Sequence, residues 1–298
     1  MVFSHLQILL GFLLPPAVVL GVGAVAWRFL GDARWVFAVL IAGGFAGAYR
    51  VVEPGLGWPP TGNVLYLFFY FALAAGVLTV ADGLVRPRMW VRLVVLVLVW
   101  RMVVRVLVAR QVPTAMSASD AEMWIDFSSL VVVMWWLAFE RIAERAPGVT
   151  TPILLAAMSA ASAIVLALGW HIQSSGALAG VLTLMCLAGV AVSLISRRAA
   201  FSRGFAQVVV LILQLLLVHG YFYTDDTLTG AQQAVAAGLM ATPLLALAGE
   251  IGFVQRRRPV LRLAIRVAPA LIVLGVICAA TVRGFLKAEQ TSAAMQDE

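Results

Sequence analysis

Apolar residues in this chain come in long unbroken runs and do not alternate with polar ones. Ten runs stand out: Leu6–Trp27, Trp35–Tyr49, Val64–Ala81, Met89–Ala109, Met123–Phe139, Pro152–Trp170, Gly176–Ile195, Phe205–Phe222, Ala231–Val254 and Leu261–Val282. A helix needs about 20 residues to cross roughly 30 Å of hydrocarbon. Lipid offers no hydrogen bonds, so backbone groups must be satisfied within each run, which selects helix over strand. The pattern predicts an all-α polytopic transmembrane helix bundle of ten spans, or eight to ten if the short second run and the polar fifth are tilted or interfacial. Residues 1–286 form one helical domain, and 287–298 read as a polar, disordered tail.

The first run needs separating from a secretory leader. Ala24-Val25-Ala26 resembles a signal-peptidase site, but Met1–His5 carries no Lys or Arg and the apolar run is too long for a leader's core. It reads as the first span. Prolines interrupt the first run at Pro15-Pro16, the ninth at Pro243 and the tenth at Pro269, each freeing backbone carbonyls that neighbours or water must satisfy. Gly43-xxx-Gly47 and Gly176-xxx-Gly180 read as small-residue packing faces.

Composition agrees: 63% of residues are hydrophobic and 12% charged, where a soluble domain would carry roughly a quarter charged. Charge adds orientation. Fourteen basic residues lie at one set of span ends, including Arg86, Arg88, Arg141, Arg197, Arg198 and Arg256–Arg258. Four lie at the alternate set: Arg50, Arg110, Arg283 and Lys287. The excess belongs to the cytoplasmic side, which places the protein in a bacterial-type cytoplasmic membrane with both termini outside. The net charge of +7 is scattered through short loops, so it reads as a topology signal with no nucleic-acid partner. Lys287 is the only lysine and lies outside the spans, which argues against a retinal Schiff base; Cys186 and Cys278 sit in apolar runs as small core residues.

The candidate chemistry centres on the fourth run, MWVRLVVLVLVWRMVVRVLVA, which holds three arginines. A guanidinium stays charged at any working pH and is costly in lipid unless paired or hydrated. Arg101 and Arg105 share a helix face, while Arg92 lies nearly opposite, close enough to the end to snorkel. Arg105 matches the depth of Asp126 across the loop, which predicts an ion pair; Arg101 lies deeper with no matched acid in this hairpin. It is left to bind an anionic group or couple to ion movement, or to bond to a carbonyl, to Asp126 or to a partner subunit. Glu250 near the end of the ninth run faces Arg262 or Arg266 in the tenth as a clamp or a protonatable carboxylate. His5, His171 and His219 gather at the arginine-poor end with Asp225 and Asp226, weak candidates for a metal or quinol site because no metal spacing is present. Glu140, Arg141, Glu144 and Arg145 form a charged helix end, solvated or docking a cytoplasmic partner. No nucleotide, zinc-protease, nucleophile-elbow or paired-aspartate motif occurs, and no cofactor is indicated.

Three functional classes follow. The first is a transporter or permease-like protein holding a small anionic or lipid-like solute at the intramembrane arginines. The second is a non-catalytic scaffold subunit of a larger membrane complex. The third is a membrane enzyme on lipid-linked substrates, which lacks a visible acid, base or nucleophile set. The first two separate on where Arg101 points: into a cavity of its own chain or toward a partner. The orientation can be tested separately. On intact cells, an impermeant maleimide is expected to leave Arg257→Cys unlabelled in a cysteine-free chain; strong labelling there reverses the topology.

Overall fold

A computed structural model describes residues 4, 6, 8–30, 35–52, 66–85, 87–109, 111–112, 116–145, 148–195, 203–224, 230–247 and 259–296. These residues form ten helical rods and no strands. In chain order they are α1 (Leu14–Leu30, entered through a π-helical turn at Ile8–Leu13), α2 (Trp35–Val52), α3 (Tyr66–Val85), α4 (Met89–Val108) and α5 (Ala118–Arg145). They continue as α6 (Thr150–Ile164, prolonged by a π-helical turn at Val165–Gly169), α7 (Gln173–Ile195), α8 (Arg203–Tyr223), α9 (Gly230–Ala246) and α10 (Pro259–Gln296).

Eight of the ten are long and apolar enough to cross a membrane. Of the other two, α4 carries three arginines and α9 is described over 17 residues. The surface carries the signature of a lipid-facing bundle. Val77 and Ile195 are 68% and 74% exposed, while Ser159, Ser162, Gln214 and Thr242 are buried. Apolar side chains face outward and small polar ones sit inside, because in lipid the polar groups are the ones that need protein partners. The chain is a membrane protein.

The bundle is organised around α8. Its Gly204–Tyr223 stretch is 89% buried, against 22% for the first span and 28% for the last. It packs on α2, α3, α4, α5, α6 and α7, and carries Gln207, Gln214 and His219 into the interior. Hairpin α6–α7 packs along one flank and α9–α10 lies outside it, while α4 sits at the opposite edge, held chiefly by α5.

Two boundaries depart from the sequence expectation. Helix α5 begins five residues before Met123 because Ser117 caps it: the Asp120 backbone N–H donates to Ser117 Oγ at 3.1 Å, and Ser117 Oγ donates to Asp120 Oδ2 at 2.7 Å. This reciprocal arrangement satisfies helix-end groups that would otherwise be orphaned. Helix α10 runs through Lys287 to Gln296, where a disordered tail was expected, and the Thr291 hydroxyl donates to the Lys287 carbonyl within it.

The glycine motifs divide at the level of single residues. A Cβ on Gly176 would lie 2.7 Å from Ala167 Cβ and 3.0 Å from the Ala167 backbone nitrogen, so this glycine sets the approach of α7 to the turn after α6. Gly180 meets nothing within 4 Å, and neither do Gly43 and Gly47, whereas Gly44 between them packs on Met185. Gly176→Ala is therefore expected to destabilise the protein by about 1–3 kcal/mol through overpacking against backbone. Gly180→Ala should be neutral or stabilising through helix propensity, by up to ~1 kcal/mol. Thermal unfolding in detergent distinguishes them, and equal effects would mean that the α6–α7 contact is not set by Gly176.

Candidate functional site

Helix α4 carries arginines on two opposed faces. Leu96, Trp100, Val104 and Leu107 form its buried stripe. Arg92 extends that stripe by one turn at i−4 from Leu96, so it points inward. Arg101 is nine residues from Arg92, about two and a half turns, and points away.

The inward face builds a buried polar cluster at the arginine-rich end. Arg92 Nη1 donates to Glu140 Oε1 at 2.7 Å, and Nε lies 2.5 Å from Asp82 Oδ1. With its amide turned so that the oxygen faces these donors, Gln207 accepts from Arg92 Nη2 at 2.8 Å and from Trp136 Nε1 at 3.1 Å. The guanidinium carbon sits 4.7 Å from the Trp136 ring centroid, a cation–π contact. Four helices contribute: α3 gives Asp82, α4 Arg92, α5 Glu140 and Trp136, and α8 Gln207. Arg92 is 10% exposed, so these contacts stand in for its hydration. It also lies in the walls of two clefts. One, about 270 Å³, is bordered by Thr79, Asp82, Val95 and Gln207. The other, about 700 Å³, is bordered by Met134, Glu140, Arg141, Glu144 and Leu244.

The outward face builds a ladder. Arg101 pairs with Asp126 and lies 3.4 Å from Glu122, and Arg105 Nη2 donates to Glu122 Oε1 at 2.5 Å. The Arg105–Asp126 pair expected from sequence is replaced by this register, and Arg101 does have a matched acid. The reason is the early start of α5. Capped at Ser117, it brings Glu122 into the helix, and each step of four residues down α4 meets a step of four up α5. Side-chain exposures of 37% for Arg101, 63% for Arg105, 49% for Glu122 and 61% for Asp126 place the ladder on the outer surface. The hairpin behind it is fixed by Trp100 Nε1 donating to Ser128 Oγ at 3.2 Å. It is tied to α8 by Tyr223 Oη donating to the Leu107 carbonyl at 2.9 Å and by Gln111 Nε2 donating to the Phe222 carbonyl at 3.1 Å.

The remaining candidates fall elsewhere. Arg266 is buried in α10, while Glu250, Asp225, Asp226 and His5 lie outside the described residues. His219 is buried as an aromatic: its ring stacks on Tyr223 at 4.7 Å, meets Phe68 edge-on at 5.1 Å, and its Nδ1 lies 3.2 Å from Ser175 Oγ. His171 ends the π-helical turn of α6 with φ of +57°, beside Phe285. Among the described residues no group of His, Cys, Asp and Glu gathers to hold a metal. Trp135 Nε1 donates to the Met240 carbonyl at 2.9 Å, three residues before Pro243, tying α5 to the turn of α9 that precedes the proline.

Sequence reasoning passed over Asp82, Gln207 and Trp136, and treated Arg92 and Glu140 as end charges. The available signal was the i, i+4, i+8 run from Arg92 through Leu96 to Trp100, which puts the arginine on the tryptophan's face. No family model, no curated protein and no solved structure matches the chain.

Breaking the inner cluster is expected to cost more than removing it. Arg92→Leu removes the guanidinium that Asp82 and Glu140 share and should destabilise by about 3–5 kcal/mol. The double change Arg92→Leu/Glu140→Leu should recover part of that loss. A double-mutant cycle read by thermal unfolding in detergent measures the coupling; additive losses would mean the two side chains act independently.

Proposed function

We propose that this protein is a non-catalytic subunit of a membrane assembly, seated in a bacterial-type cytoplasmic membrane and docking through the outer face of the α4–α5 hairpin. The observation carrying the reading is the exposed ladder. Arg101 and Asp126 lie about two turns from the hairpin's end, roughly 10–12 Å along the helices at 1.5 Å per residue. Arginine can snorkel from that depth, but the short Asp126 side chain cannot. An aspartate facing lipid costs up to about 3 kcal/mol, the figure for the centre of a span, and less toward its ends. Pairing with Arg101 offsets part of this, and an adjoining protein surface would offset the rest.

The anion-holding alternative has less support. Every arginine in both constellations already has a carboxylate partner.

Assembly is read most directly from particle mass. Arg101→Leu/Asp126→Leu removes one rung without leaving an unpaired charge. In mild detergent or lipid nanodiscs, the variant is expected to keep the wild-type melting temperature within a few degrees and to shift from an assembled to a smaller particle by light scattering. A wild-type particle of single-chain mass, or equal masses for both proteins, would remove the subunit reading.

A further inference from the structure

We infer that the α4–α5 ladder is a self-association surface and that its occupant is a second copy of this chain, related by a two-fold axis along the membrane normal. This rests on the docking role proposed above and names the partner.

The argument is one of symmetry and sign. The outer face carries two columns: Arg101 and Arg105 on α4, Asp126 and Glu122 on α5. Seen from outside the bundle, one column is wholly basic and the other wholly acidic. Two copies inserted in the same orientation can be related by rotation about the membrane normal, which preserves depth. A half-turn brings the basic column of one copy against the acidic column of the other, so Arg101 meets the Asp126 level and Arg105 the Glu122 level, both ways at once. That is the isologous condition, in which one patch complements itself.

The face continues in the same register below the charges. Val94, Leu98, Arg101 and Arg105 follow a four-three-four spacing, the stripe of a helix that packs on another helix. Val94 and Leu98 are exposed, as are Leu130 and Leu137 on α5. In lipid these apolar residues gain no hydrophobic energy from association. They supply shape, while the charges supply the reason to leave lipid. A partner presenting one sign of charge would satisfy one column and repel the other, so a two-signed surface with matched depths is the complementary one. Closure at two copies follows, because each patch is used up by its mate.

The test uses the full-length chain in two tagged forms, co-expressed and extracted in mild detergent. Wild-type copies are expected to co-elute, and Arg101→Leu/Asp126→Leu copies to lose at least nine-tenths of that co-elution with an unchanged melting temperature. A second measurement does not depend on charge removal. In a background of Cys186→Ala and Cys278→Ser, oxidation in native membranes should cross-link a Leu98→Cys copy to a co-expressed Leu130→Cys copy, because the half-turn sets α4 of one copy against α5 of the other. Ile272→Cys, equally exposed on α10, should stay monomeric. Cross-linking at Ile272 without the Leu98–Leu130 pair, or absence of both co-elution and cross-linking, overturns the two-fold pairing. If a different protein co-elutes with the wild type, is lost from the ladder variant, and the two tagged copies do not find each other, self-association is overturned and the subunit reading stands. If nothing co-elutes and the wild type has single-chain mass, both fall.

Discussion

An arginine in a bilayer cannot escape its charge by shedding a proton, so its surroundings must be built to hold it. Helix α4 meets that demand three times. Each answer comes from another helix, and the answers position those helices. Asp82 brings the end of α3 against the start of α4, Glu140 and Trp136 bring the end of α5, and Gln207 draws in the central α8. On the opposite face Glu122 and Asp126 lock the register of the α4–α5 hairpin. Apolar contacts could be made in many rotations of these helices at similar energy. The charge contacts can be made in few, and so they give the bundle edge a defined geometry.

The two constellations differ in what they leave undone. The inner one is enclosed by four helices, with its guanidinium bonded on several sides. The outer one is paired but uncovered. Equal chemistry is thus placed at unequal exposure, and the outer face is the one proposed above to dock a partner.

The spans were legible from sequence because the length of an apolar run is a one-dimensional property that the bilayer reads directly. The inward face of α4 was not. In water an apolar stripe points to the core, but in lipid the outside is as apolar as the inside, and the usual amphipathic cue loses its sign. The wheel positions of Arg92 and Arg101 were correctly opposed, and only the choice of interior was inverted. Trp100 and Ser128 held the missing information, since a tryptophan N–H in mid-span needs a protein acceptor. The ion-pair register failed for a smaller reason: Ser117 and Asp120 cap α5 ahead of its first apolar residue, and a one-turn change in helix start moves every partner by four positions. Glu250, Asp225 and Asp226 lie outside the described residues, so the clamp and the outer histidine–aspartate group stand as sequence readings.

The last helix has a consequence of scale. At 38 residues, α10 is a rod of about 57 Å at 1.5 Å per residue, while the hydrocarbon layer is roughly 30 Å and the whole bilayer roughly 40–45 Å thick. It is therefore longer than a bilayer crossing at modest tilt requires, so some of its turns must lie beyond the hydrocarbon at one end or the other. Its C-terminal turns, with Lys287 and Glu289, are the more polar ones and the less costly to leave in water.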